Sequence, residues 1–560
     1  MIKMIVSLEK HWKKFISVLW AAVVLASIKS IFTDTGFDNA YTVAMSFRHL
    51  RGDGMFAQMW EPHQTSIFFT DFFMWIYHLF VPSYTGVVIY LQIVGTAFFI
   101  IIGFFLYKML KDITGNRIAQ LAAIFFIMFR AKQTPFPDFA NLQIGFSALL
   151  FLCLVSFVRE QHKKGYLCLA AVFLCLEILS YPSCILAWLP AVLILFWKTK
   201  ERWKSVCLFT GICALFGGIY LGYFIFKTGG QVFFQNLKNI FYSDSHSGEA
   251  FVSTWNYFYG IVTALAWLVL CGALAWLLQY ALRRLFSKSV DFFAVYGFIL
   301  FFSELILLFA QKKIGLDWTC TFYIIPAFLM AFSCFYYKEM SEQEKTVWQA
   351  GSLFAIVSCA ATWLLTDLGL ITMTSYMVLG GMVSFVSLQH RKKIEMFLIA
   401  ICSLIVMHRG LVVWGYANKD QIWMVPDITA MITSGPSIGI VSDYMTYYQT
   451  DCDREDHGKF LTPEDSLFLV GNWLIDPMEF LLANADISNY STIDTPVYNE
   501  KLLDYLELYP EKKPTVVAVS CFYGQMQVKE DTWIMQWINE NYEAVGDGRY
   551  WRYYREKESP

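Results

Sequence analysis

Charge is scarce in this sequence. Asp, Glu, Lys and Arg make up 16% of the 560 residues, while 57% are hydrophobic and 18% aromatic; a soluble globular domain has about a quarter of its residues charged. Together with a mean hydropathy of +0.47, this excludes a soluble domain for the chain as a whole and assigns most of its surface to lipid. Spacings that would bind zinc or frame disulfides are lacking too. The thirteen cysteines are an odd number, and all but Cys452 and Cys521 lie in or beside apolar runs, where cysteine packs as a small hydrophobe. Cys452 and Cys521 could pair only in an oxidising space, and sequence alone does not bring them together. No small-residue cleavage site follows the basic N-terminus of Lys3, Lys10, Lys13 and Lys14. The apolar run 15–32 therefore reads as a retained signal anchor. No internal repeat is discernible either, which counts against a transporter built from paired halves.

Long apolar runs are what the sequence has in abundance. They fall at 15–32, 84–107, 118–129, 139–158, 165–197, 206–226, 257–282, 292–310, 320–337, 350–388 and 394–413. With 165–197 and 350–388 read as hairpins, they make about thirteen spans of the length that crosses the hydrocarbon. Basic residues orient them: the loops on the N-terminal side of the membrane collect 22 Lys plus Arg and the short loops on the other side 8. By the positive-inside rule the N-terminus is cytoplasmic and the C-terminus outside. Residues 1–413 hold 32 basic against 21 acidic residues and 414–560 hold 11 against 24. The last stretch, with turn residues (Gly435, Pro436, Gly439), alternating runs at 437–441 and 515–519 and a helical run at 500–508, predicts an extracytoplasmic α/β domain over 414–560.

Polar residues outside that domain concentrate in the first outer loop, 33–83: Asp34, Asp38, Asn39, Tyr41, Arg48, Arg51, Asp53, Glu61, His63 and Gln64. The run 66–81 that closes the loop is apolar but interrupted, and Gln64, Asp71 and His78 recur at seven-residue spacing along one helical stripe. Such a helix lies in the interface with its polar edge toward water. The loop is thus expected between a spanning and an interfacial helix, where lipid phosphates lie. A further carboxylate, Asp138, stands at the outer mouth of the span 139–158. Glu177 and Glu304 lie inside spans, away from the outer mouths, and read as facing protein or water-filled gaps.

The layout resembles the GT-C superfamily of membrane glycosyltransferases, above all the protein-mannosyltransferase and aminoarabinose-transferase group that uses polyprenyl-phosphate sugars. That group carries an acidic pair, a Gly-Asp turn and an aromatic-Glu-Lys-Pro element in its first outer loop, and an Asp at the start of the fourth span. The matching stretches here are Phe37-Asp38-Asn39-Ala40-Tyr41, Gly52-Asp53-Gly54, Trp60-Glu61-Pro62-His63 and Phe136-Pro137-Asp138-Phe139. Asn39 replaces the second acid, which weakens a metal-binding role and leaves Asp38 as the acid, and His63 follows the proline where the group has a Lys before it.

The resemblance implies a polytopic α-helical enzyme of the bacterial cytoplasmic membrane, moving a sugar from a polyprenyl-phosphate donor to a glycan, lipid or protein acceptor on the outer face. Membrane lipids are its other partners, and nucleic acid is not among them. A sugar phosphate already has a good leaving group, so an inverting transfer needs a single base. Asp38 is the expected base and Asp138 would orient the acceptor or share the proton. Asp53, Glu61, His63 and Tyr41 are expected to bind substrate. A cation must meet the phosphate; His63, Arg130, Lys132, Lys312 and Lys313 are the candidates, and Lys312 and Lys313 are favoured. The sequence assigns no cofactor and leaves a divalent cation open. The rival reading is a transporter or flippase for a lipid-linked glycan; a scaffold whose outer domain binds cell-wall components is a third.

Overall fold

The computed structural model describes residues 12–33, 36–132, 134–160, 163–240, 254–286, 290–314, 322–364, 370–391, 394–412, 428–472, 475–493 and 501–557. Helices dominate the first three-quarters: α1 (Trp12–Ile31), α2 (Phe37–Leu50), α3 (Ile67–His78), α4 (Val87–Met128), α5 (Phe139–Arg159), α6 (Lys164–Ser180), α7 (Trp188–Lys198), α8 (Arg202–Thr228) and α9 (Gly230–Ile240). They continue with α10 (Thr254–Phe286), α11 (Phe292–Ile314), α12 (Ile325–Ser333), α13 (Glu342–Leu364), α14 (Leu370–Thr374), α15 (Val378–Leu388) and α16 (Glu395–Val412). Among the described residues seven helical segments are long and apolar enough to cross a membrane, and 182–198 and 292–306 are shorter apolar helices. Gly115, at φ 76, breaks the 42-residue α4 into two arms. A side chain is disfavoured in that left-handed conformation, so the glycine marks the turn between two spans, where the runs 84–107 and 118–129 place one. The chain is a polytopic helical membrane protein.

Two segments between the spans matter for the site. The helix expected over 66–81 is α3, only 12 residues long, about 18 Å at 1.5 Å per residue and too short to cross. Its polar edge does not face water as expected: Asp71 turns to α2, paired to His49 at 2.6 Å, and His78 stacks on Tyr84, while Phe72 and Trp75 on other faces are exposed. The loop before it is itself helical, because α2 carries apolar residues at helical spacing on two faces. Ala40, Val43, Ala44 and Phe47 join one buried cluster, while Tyr41 and Met45 join another.

The cluster around Ala40 and Phe47 is shared with the C-terminal domain. That domain runs β1 (Ile428–Met431), β2 (Val441–Asp443), α17 (Tyr444–Phe460), β3 (Ser466–Val470), α18 (Met478–Ala483), β4 (Asp486–Ile487), α19 (Lys501–Leu508), β5 (Val516–Phe522), β6 (Gln525–Met526), α20 (Trp533–Asn541), β7 (Tyr542–Asp547) and β8 (Trp551–Glu556). A mixed sheet has the order β4-β3-β5-β8-β7, with β6 paired to β5. The β4-β3-β5 pairs are parallel, and β8 is antiparallel to both β5 and β7. Strand alternation sends successive side chains to opposite faces: Leu467, Leu469, Val516 and Ala518 pack toward α2, and Phe468, Val470, Val517 and Val519 join the cluster that holds Ile534 and Ile538 of α20. Burying Val43 and Phe47 in this way stabilises the docking by about 1.5–3 kcal/mol per side chain. Residues 437–440 form a turn rather than a strand, with Gly439 at φ 84; the strand begins at Val441. Cys452 and Cys521 are both free thiols and buried.

Candidate active site

Asp38 lies in the first turn of α2, one residue away from Asn39 and three from Tyr41. Lys132, from the segment joining α4 to α5, forms an ion pair with its Oδ2. That segment is held from three sides. Arg409 of α16 donates to the carbonyls of Met128 at 2.9 Å and Arg130 at 2.7 Å. Asn141 donates from its side-chain amide to the carbonyls of Thr134 and Phe136, at 3.1 and 2.8 Å. The amide of Asn39 donates to the Thr134 hydroxyl at 2.5 Å and so ties α2 to the segment bearing Lys132. Gly95 of α4 lets the segment lie close: a Cβ there would stand 1.7 Å from the Pro135 carbonyl oxygen.

Asp138 is fully buried and caps α5, its Oδ1 accepting from the backbone N–H of Asn141 at 2.8 Å. Its Oδ2 has no hydrogen-bond partner among the described residues. Burial pushes the carboxyl up to about 7, against the pull of the Lys132 ammonium. Burial also works against the Lys132 charge, but the carboxylates of Asp38 and Asp138 outweigh it and hold the ammonium above the usual lysine range. Two carboxyls of different character thus share one cation.

Asp38 and Lys132 open onto a cavity of about 1340 Å3, and Asp138 lies behind its wall. Asp38, Tyr41, His63, Lys132, Tyr181 and Tyr376 line its polar end. From there it runs between α6, α7 and α8, past Ile178, Ile185, Trp188, Phe216 and Leu221, and α9 closes one side with Phe233 and Leu237. His63 has φ 63, the left-handed region, and its ring stacks on Phe139 at 4.2 Å and near-parallel. Tyr41 donates its hydroxyl to the Pro62 carbonyl, which fixes the turn that presents His63.

Glu61 also borders the cavity, but its side chain is fully buried, and Oε1 accepts from Arg48 Nη1 at 3.0 Å. Asp53 is not among the cavity-lining residues: Arg48 engages Oδ2, and Lys512 of the C-terminal domain reaches Oδ1 and Oδ2 at 2.9 and 3.0 Å. Lys312 and Lys313 lie in the last turns of α11, and their side chains are outside the described residues, as is Asp34. Glu177 is fully buried in α6. The structure therefore puts Asp38, Tyr41, His63 and Lys132 on one cavity, with Asp138 buried behind Lys132, and leaves Asp53 away from it. The signal for Lys132 was its place six residues before Asp138 in a short loop. Tyr376 carried none beyond being a polar ring inside an apolar run. Among the described residues no three His, Cys, Asp or Glu side chains converge as a metal site.

No protein-family profile and no curated protein matches the chain. Among solved structures it is similar to the Archaeoglobus fulgidus oligosaccharyltransferase in a complex with zinc and sulfate, with a TM-score of 0.44 and 11% identity over 90% of this chain and 68% of that one. It is also similar to ArnT from Cupriavidus metallidurans bound to undecaprenyl phosphate, with a TM-score of 0.39 and 11% identity over 97% of each chain. Likeness at this level transfers no residue's role.

Proposed function

We propose that the protein is an inverting glycosyltransferase of the bacterial cytoplasmic membrane, moving a sugar from a polyprenyl-phosphate donor to an acceptor on the outer face. The observation that carries this is a cavity with one charged end, Asp38 with Lys132, and one long apolar arm between membrane helices. A prenyl chain fits the arm, and its phosphate meets Lys132. Donor binding draws the ammonium from Asp38 to the phosphate, which frees the carboxylate as a base. The acceptor hydroxyl then attacks the anomeric carbon while Asp38 takes its proton. The sugar–phosphate C–O bond breaks, and its electron pair stays on the phosphate oxygen, whose growing charge Lys132 stabilises. His63, Tyr41 and Tyr376 surround the sugar; Glu61 shapes that wall through Arg48.

The test is transfer from a panel of radiolabelled polyprenyl-phosphate hexoses and pentoses in membranes holding the full chain. Asp38→Asn is expected to lose about 10²–10⁴-fold in rate, and Lys132→Met to raise the donor KM as well as lower kcat. Full transfer by Asp38→Asn would overturn the assignment.

A further inference from the structure

We infer that the C-terminal domain stands on the bilayer through an aromatic foot, made by the first two turns of α17 and the β5–β6 hairpin with the Arg549 guanidinium over the Tyr448 ring at its edge, and that the foot's partner is the headgroup and upper acyl region of the leaflet beneath it.

The height of the foot is fixed by two spans. The backbone N–H of Val441 in β2 donates to the Phe32 carbonyl at 2.8 Å, directly after the end of α1, and Phe32 is itself exposed. The turn before β2 rests on the start of α4: Gly86 N–H donates to the Gly435 carbonyl at 3.1 Å and Val88 N–H to Pro436 at 3.2 Å. The β1–β2 pair therefore lies where two spans meet the membrane surface. α17 starts at Tyr444, three residues beyond Val441, no more than about 11 Å of chain away.

The sequence of α17 then changes along the helix. Residues 444–450 (Tyr-Met-Thr-Tyr-Tyr-Gln-Thr) carry no charge, and 451–459 hold Asp451, Asp453, Arg454, Glu455, Asp456 and Lys459. Seven helical residues rise about 10 Å, comparable with the headgroup layer of about 5–8 Å on each side. Met431, Tyr444, Met445 and Tyr523 are each more than half exposed, at 56%, 57%, 61% and 59%. The hairpin tip joins the same surface, since the hydroxyls of Tyr448 and Tyr523 lie 3.3 Å apart and the Phe522 ring meets Tyr523 edge-on at 4.9 Å. Tyr523 holds φ 47, a left-handed conformation disfavoured for a side-chain-bearing residue, and this keeps two rings displayed at the tip. Tyrosines with an apolar body and a polar end settle at headgroup level, and here they continue a surface already anchored to the span ends. The foot sets the height at which Tyr505 and Lys512 of this domain press on the Arg48 loop.

The full-length protein in nanodiscs of phosphatidylethanolamine and phosphatidylglycerol, doped with a phospholipid bearing a diazirine near the glycerol, tests this by mass-mapped photo-adducts and hydroxyl-radical footprinting. Expected are adducts on Met431, Tyr444, Met445 and Tyr523, with these side chains protected from oxidation. A Tyr444→Glu/Met445→Glu/Tyr523→Glu variant should lose them while adducts near Phe32 persist. Adducts no more frequent on the foot than on α20 of the same domain, with free oxidation of its tyrosines and methionines, would overturn the inference. Protection that appears only when a soluble oligosaccharide such as maltoheptaose is added would overturn it too, and would make the surface a sugar platform.

Discussion

The guanidinium of Arg48 donates from Nη2 to the phenol oxygen of Tyr505 at 2.7 Å, across 457 residues of chain. The Tyr505 hydroxyl in turn donates to the Gln58 carbonyl at 2.9 Å. Arg48 also holds Glu61 and Asp53, and Asp53 holds Lys512, so one buried network joins the wall of the cavity to the C-terminal domain. Removing the cation strands the buried Glu61 carboxylate and leaves Asp53 to Lys512 alone; breaking a buried pair in this way typically costs about 3–5 kcal/mol. Arg48→Met is therefore expected to lower the unfolding midpoint in detergent sharply and to lose transfer with it. Tyr505→Phe removes one bond from each of two partners and should cost only about 1–3 kcal/mol, with activity retained at low temperature. Equal effects of the two variants would contradict this ranking.

The shared cation predicts a pH dependence. Asp138 titrates near 7 because burial raises it against Lys132. Below that pH it is neutral and Lys132 is left to Asp38 and the incoming phosphate. Above it, the ionised Asp138 competes with phosphate for the ammonium. The donor KM is expected to rise as pH increases through about 7, and Asp138→Asn should flatten that rise while keeping measurable kcat. Initial rates in membranes at pH values on either side of about 7, with both parameters resolved, check it.

Much of this was legible in the sequence, for definable reasons. Asp38, Tyr41 and His63 sit in a loop flanked by a span and a short interrupted helix, and hydropathy alone places such a loop at the interface. What hydropathy cannot show is whether a charged residue faces a ligand or another charge. Asp53 and Glu61 read as sugar-binding acids because they share the loop with Asp38. Arg48 was visible five residues from Asp53, but Tyr505 and Lys512, which complete its network, belong to another domain. Lys132 is one cation among five, and Lys312 and Lys313, favoured as a pair at a span end, have side chains outside the described residues. The difference lies in Asn39, Gly95, Asn141 and Arg409, four residues from four helices that together fix the Lys132 segment, a convergence no local pattern encodes.

Gly95 offers a direct test of that convergence. A methyl group on it would lie 1.7 Å from the Pro135 carbonyl oxygen, an overlap that only a backbone shift relieves. Overpacking of this kind typically costs about 1–3 kcal/mol, and here the shift displaces Lys132 relative to Asp38. Gly95→Ala should therefore raise the donor KM more than it lowers the unfolding midpoint would suggest, whereas Gly165→Ala, with open space around it, should leave both unchanged.

The C-terminal domain has its own titration, remote from the cavity. Burial pushes Asp453 up to about 9, with Glu479 beside it adding to the shift, and pushes Glu479 up to about 8. Burial lowers His457 to about 4, although Asp453 and Asp456 oppose it; its ring contacts Glu479 at 3.2 Å and Tyr553 at 3.0 Å. For the two carboxyls the folded state keeps protons that the unfolded chain loses near pH 4, so their contribution to stability falls as pH rises from about 4 toward 8 and 9. For His457 the unfolded chain binds the extra proton between about 4 and 6.5, so its contribution rises with pH over that window and is then complete. Above pH 6.5 only the carboxyl slopes remain, and the domain should loosen steadily toward pH 9. Asp453→Asn is expected to reduce that loss, read as hydrogen-exchange protection of β3 and β8 in the full chain at pH-corrected rates. Unchanged protection of the wild type between pH 6.5 and 9 would show that these carboxyls are ionised in the folded domain.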